Sequence, residues 1–237
     1  GVAIALDASS STDADNDIVD YAWSIAGQIV ANGRTATLDL AALPAGGDGP
    51  DQEVDITLTV RDAFGATDTT SRRLTVAPAW ILNLDPAGAV LVEAESFSAE
   101  GGGKVRIVSD RIGHSGSMLT GWHESPEHWL EWTVAVPRDG DYRVILKYAT
   151  DSLATHRSLT LDGQSPGKAF ERFHLPSTGG FCTVRNDWRY HTLGGPETPA
   201  ALRLTAGKHR LRLTNLGDGC ALDFIILAPL ASPTAKP

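Results

Sequence analysis

Between Val90 and Leu227 the chain alternates apolar and polar residues in short runs, broken by Gly, Pro, Asp and Ser. A period of two is the mark of strands with one buried face. Seven strands are predicted here: Val90–Glu95, Trp129–Val136, Tyr142–Tyr148, Ser158–Leu161, Ala201–Leu204, His209–Leu213 and Ala221–Leu227. The turn Pro137-Arg138-Asp139-Gly140 is expected to close a hairpin between the second and third, with Asp-Gly supplying positive φ. A second hairpin is expected through Ala206-Gly207-Lys208. Closer to the start, Val2–Leu6, Ile18–Trp23, Val54–Val60 and Arg73–Val76 read as strands separated by Gly/Asp/Ser turns.

These strands predict an all-β chain: a small sandwich followed by a larger jelly-roll of two stacked antiparallel sheets. The expected divisions are 1–78 for the first module, 79–87 for a linker, 88–230 for the second module and 231–237 for a tail. That tail, Ala-Ser-Pro-Thr-Ala-Lys-Pro, has linker composition. The chain is expected to be a piece of a larger exported protein, secreted or at the cell surface. No run approaches the roughly 20 apolar residues of a membrane span.

Charge sharpens the division. The net charge is −9, yet residues 1–79 hold 4 basic and 12 acidic side chains while 80–237 hold 16 and 17. No concentrated basic face is evident, so nucleic acid is not an expected partner. Cys182 and Cys220 both flank Gly-rich loops and are expected to form a disulfide, two buried thiols being the alternative. Asp13, Asp15 and Asp17 have the odd spacing of a calcium loop, but Ile18 stands where the sharp-turn Gly is needed and no bidentate Glu follows. An ordinary acidic turn is expected there.

Glu93 and Glu95 carry the main candidate chemistry. Two residues apart on a strand, they are expected to share a face, where like charges are costly unless a cation lies between them. Together with Trp129 to Tyr148, Thr205 to Thr214, Leu222 to Ile226 and the Gly113-His114-Ser115-Gly116-Ser117 turn, this Glu-Ala-Glu segment resembles the family 6 and family 35 carbohydrate-binding modules. The resemblance implies a galactose-binding-like jelly-roll and a structural Ca2+. Glu93, Glu95 and Asp223 would give carboxylates to it, and backbone carbonyls near Ser115 and Met118 would complete the shell. It departs at Cys220-Ala221, where the family often has a sugar-bonding Asn. In the first module, Leu6 to Asp13, Tyr21-Ala22-Trp23 and Thr59 to Gly65 resemble a PKD domain, which implies an immunoglobulin-like sandwich lacking its usual first strand.

Sugar recognition needs aromatic faces and planar polar groups on loops. Trp122, His123, Arg157, Arg185, Trp188, Arg189 and Tyr190 are the candidates, the arginines pointing to an anionic polysaccharide. Trp129 and Trp132 are expected to be packing residues. No assembled catalytic constellation is present: His123 and His128 are five apart with Pro126 between them, Gly113 to Ser117 lacks the last Gly of a nucleophile elbow, and no motif joins Glu124 to Asp187. The expected function is therefore non-catalytic polysaccharide binding, with a catalytic domain elsewhere in the parent chain. An adhesion or spacer segment is the alternative, and a small glycan lyase or hydrolase a weaker third.

Overall fold

The computed structural model describes residues 3–39, 51–82, 84–122 and 127–230. The chain divides into two compact units, Gly1–Asn83 and Leu84–Pro237. No helix among the described residues is long and apolar enough to cross a membrane.

The first unit is built from β1 (Ala3–Asp7), β2 (Ile18–Ile25), β3 (Gln28–Asn32), β4 (Thr35–Asp39), β5 (Gln52–Asp62) and β6 (Thr67–Val76). β1 pairs with β4, and the other four form an antiparallel sheet in the order β3-β2-β5-β6. Leu6 and Leu38 from the smaller sheet pack against Trp23, Ile25, Ile56 and Leu58 from the larger, which makes a two-layer sandwich. The Trp23 indole donates to Gly33 O at 3.0 Å, tying the β3–β4 turn to the core. The acidic turn closes on itself, Asp15 N–H donating to Asp13 Oδ1 at 2.9 Å. It is Asp62, not Asp15, that joins Asp13 and Asp17 within 4.8 Å.

Among its described residues the second unit holds twelve further strands: β7 (Val90–Glu93), β8 (Ala99–Gly101), β9 (Arg106–Val108), β10 (Met118–Trp122), β11 (Trp129–Val136), β12 (Gly140–Ala149), β13 (His156–Leu161), β14 (Phe173–His174), β15 (Arg189–Thr192), β16 (Leu202–Leu204), β17 (Gly207–Asn215) and β18 (Cys220–Pro229). One sheet runs β15-β12-β18-β10-β9, with β16 also on β12 and β7 also on β18; the other runs β14-β13-β17-β11-β8. Their inner faces meet in one core that includes Leu119, Leu130, Trp132, Val144, Leu146, Leu159, Leu213 and Ile225. This is the expected jelly-roll sandwich.

The two expected hairpins are not formed. β11 pairs with β17 and β8 while β12 pairs with β18, β15 and β16, so Pro137–Asp139 crosses between sheets. The 205–206 connection does the same, since β16 and β17 also lie in different sheets. Burial explains why. β11 alternates strictly between buried and more exposed positions, whereas Val144 to Ala149 of β12 are buried on both faces. Strands with such different demands belong to different layers. Gly140 begins β12 without positive φ, and the two crossings are joined instead by Ala206 N–H donating to Asp139 Oδ1 at 2.7 Å.

Candidate functional site

The residues expected to hold a metal border a seam in the larger sheet, although the ligand atoms of Glu93, Glu95 and Asp223 do not all lie within 4.8 Å of one another. Along one edge of β18, β10 pairs as far as Leu222 and β7 takes over from Phe224. On the other edge Lys147 faces Phe224 and Tyr148 faces Leu222, so Asp223 is a bulged residue with no ladder partner. The bulge turns a fully buried carboxylate toward the gap between the strand ends. Both of its oxygens accept from Ser115 N–H, at 3.0 and 3.2 Å, and Oδ2 pairs with Lys147 Nζ at 3.0 Å. Burial raises the Asp223 carboxyl above its ordinary range, against the pull of Lys147.

Glu93 and Glu95 reach this gap by a different route from the one expected. The strand ends at Glu93, and Ala94–Ser96 forms a single 3-10 turn rather than continuing the alternation. The turn is pinned by Trp132 Nε1 donating to Ala94 O at 2.9 Å and by Ser96 Oγ donating to Glu93 O at 2.7 Å. Glu95 Oε1 accepts from Ser117 N–H at 3.2 Å, whereas Oε2 of Glu93 and Oε2 of Glu95 are buried and accept no hydrogen bond. Burial first, and then the charges of Glu95 and Asp223, push the Glu93 carboxyl upward. Two orphaned carboxylate oxygens beside a third carboxylate fit a hard cation such as Ca2+. Met118 is fully buried at the start of β10, next to the Ser115–Ser117 loop. Asp223, by contrast, already has its own cation. Lys147 is buried, donates to Gly113 O at 2.8 Å, and lies 5.2–6.0 Å from the ring centres of Phe224, Trp188 and Tyr190.

That arrangement corrects several expectations about the sugar site. Trp188 is fully buried among Met118, Ala149, Cys182 and Ala221, with its indole donating to Ile112 O at 2.9 Å. Its ring walls the lysine and is not open to a pyranose. Tyr190 is half-buried and packs near Phe224, with ring centres 6.1 Å apart. Arg157 is 1 % exposed and donates only inward, to His156 O, Asn215 Oδ1, Asp218 O, Trp122 O and Cys220 Sγ. Trp122 is buried under its guanidinium, whose carbon is 4.6 Å from the ring centre. Arg189 donates to Trp188 O, and the more exposed Arg185 is paired with buried Asp187 at 2.6 Å. His123 lies outside the described residues. Trp132 is a core residue as expected, and Trp129 lies against Gly101 under Arg212.

The expected disulfide is absent: both cysteines are buried free thiols. Cys182 belongs to the small cluster around Trp188 and accepts from Asp187 N–H at 3.3 Å, while Cys220 packs in the main core against Arg157. Burial pushes the Cys182 thiol up to about 11 and raises that of Cys220 as well. Neither thiol should react with a water-soluble disulfide reagent in the folded protein, and both should react once it is denatured. Rapid titration of even one thiol under native conditions would contradict this packing.

Beside Trp122 opens a cavity of about 590 Å³. Its walls carry Arg106, Arg111, Asp151, Ser152, Phe181 and Asp218. Ser152 donates to Asp218, Arg111 pairs with Asp110 at 2.6 Å, and the Nε of Arg111 is buried with no partner. No local pattern announces this set, because its members come from separate segments of the chain. The one local signal is the pair of turns Gly179-Gly180 and Gly217-Asp218-Gly219, which flank Phe181 and supply Asp218.

No protein-family profile matches the chain, and no curated protein sequence does. Solved structures do align with it. The C-terminal family 6 carbohydrate-binding module of a laminarinase from Zobellia galactanivorans aligns at 17% identity and TM-score 0.46, over 59% of this chain and 98% of that one. A family 35 module from Clostridium thermocellum gives 20% and 0.47, over 59% and 96%. A family 6 module of Cellvibrio mixtus lichenase 5A, solved with cellotriose, gives 20% and 0.45, over 60% and 97%.

Proposed function

We propose that the second unit is a non-catalytic carbohydrate-binding module and that the cavity beside Trp122 is its sugar site. One observation supports this most: Phe181, two arginines and two aspartates from separate segments converge on one open cavity beside the buried Trp122. A half-buried aromatic offers a face for the C–H side of a pyranose, and charged groups of both signs match its hydroxyls. Arg106 and Arg111 on the cavity wall favour a ligand bearing a carboxylate or sulfate. The cation at Glu93 and Glu95 is structural in this reading, holding the Ser115–Ser117 loop to the first strand. The parent chain is then an exported polysaccharide-active protein, with the first unit as a spacer.

A screen of neutral and uronate- or sulfate-bearing polysaccharides should find binding that weakens with added salt. Phe181→Ala and Arg111→Ala should each lower affinity at least about tenfold while leaving the unit folded. Full binding by both variants would move the site to the outer face of the five-stranded sheet, where Trp129 lies under Arg212 at 3.8 Å. No binding to any glycan would favour the adhesion or spacer alternative.

A further inference from the structure

We propose that His156 and His174 form a two-histidine site for a divalent transition metal, distinct from the carboxylate site and from the sugar cavity. They are directly paired across β13 and β14, where opposite side chains are about 5 Å apart at Cβ. Their ring centres are 5.0 Å apart with an interplanar angle of 37°. Two imidazoles on one tetrahedral ion, with metal–nitrogen bonds of about 2.0–2.1 Å, have ring centres about 5 Å apart, so the pair is spaced for chelation.

The tautomers are fixed in the way a metal needs. His156 Nδ1 lies 3.0 Å from Ala154 O and His174 Nε2 lies 2.9 Å from Leu153 O. A carbonyl only accepts, so each of these nitrogens carries the proton. Nε2 of His156 and Nδ1 of His174 are left as lone-pair donors. Backbone carbonyls orienting metal-binding imidazoles in this manner are the usual outer shell of such sites. Both carbonyls belong to one short turn, 153–154, which holds the two rings in a common frame. Neutral imidazole favours Cu2+, Ni2+ or Zn2+ over Ca2+. His191 stacks on Phe173, 6.5 Å between ring centres, and among the described residues no third His, Cys or carboxylate converges tightly on the pair. Water or an external ligand completes the coordination shell.

The site has a structural consequence. β14 is only two residues long, and the chain after it runs through Leu175 to the loop carrying Phe181. A metal clamp across β13 and β14 fastens the root of that loop to the sheet.

The test uses the whole chain, stripped of metal and titrated with Zn2+ or Ni2+ alone by calorimetry, in buffer holding saturating Ca2+ so that the carboxylates do not compete. Binding of one ion in the micromolar range is expected. His156→Gln and His174→Gln should each weaken it at least tenfold, and the double variant should abolish it. Ring 15N shifts of these two histidines should move on Zn2+ addition, with Nε2 of His156 and Nδ1 of His174 the responding atoms. Absence of binding below about 1 mM, unchanged affinity in both single variants, or shifts confined to other histidines would each overturn the site. Because both side chains are at the surface edge, the variants should melt as the parent does without metal. A metal-free melting loss of several degrees would instead show the pair to be a packing element and would also overturn the proposal.

Discussion

Replacing Arg157 by Ala should cost the second unit about 3–5 kcal/mol, one of the largest losses available from a single side chain in this protein. In a unit of this size that is a fall in melting temperature of roughly 10 °C. The expectation follows from what the guanidinium holds together. It joins the end of β10 through Trp122 O, the start of β13 through His156 O, and the 215–220 connection through Asn215 Oδ1, Asp218 O and Cys220 Sγ. Truncation opens a void against the face of Trp122 and leaves buried carbonyls without donors. Arg157→Lys should lose nearly as much, because one ammonium cannot span partners spread around a planar fork. A melting temperature unchanged in Arg157→Ala would mean that the side chain is a surface residue after all, and would restore it as a sugar contact. The cavity wall at Trp122 depends on this frame, so both variants should also weaken glycan binding, in proportion to their loss of structure rather than through any direct contact.

The alternation that revealed the strands also contained the fate of Arg157. In β13, Arg157 and Leu159 both fall on buried positions, so the period of two places the charge on the core face. As a residue type arginine points to a ligand role, but its position on the strand puts it in the core. Trp188 is hidden for a related reason: its neighbours Asn186, Arg189 and His191 are polar, and only the fold brings Met118, Ala149 and Ala221 around it. Sheet membership was hidden too, because a crossing turn and a hairpin turn use the same residues, and Pro137 to Gly140 could serve either. The Glu93-Ala94-Glu95 segment shows the opposite failure. A strand face is expected to carry both carboxylates, whereas the strand ends at Glu93 and a 3-10 turn carries Glu95. The bulge at Asp223 and its pairing with Lys147 depend on register across three strands, which no local pattern encodes.

Removing divalent cations should lower the melting temperature of the second unit by about 5–10 °C relative to Ca2+ at a hundredfold excess over Kd, since ligation of the folded state at that excess is worth about 2.7 kcal/mol. The motivation is the pair of buried, unaccepted oxygens on Glu93 and Glu95 beside Asp223. Glu93→Gln combined with Glu95→Gln should abolish the response to Ca2+, because a neutral amide relieves the mutual repulsion that the ion otherwise offsets. Lys147 makes the experiment discriminating. Its ammonium neutralises Asp223 whether or not a metal is bound, so the chelated protein should remain folded at ambient temperature instead of collapsing. In Lys147→Met the Asp223 carboxylate is left buried with only the Ser115 N–H, and breaking such a pair costs about 3–5 kcal/mol. That variant should therefore be less stable than the parent and should gain more from Ca2+, because the ion then has three carboxylates to satisfy. An unchanged melting temperature after exhaustive chelation, with no calcium found by elemental analysis, would remove the metal from this site and leave Lys147 as its sole cation.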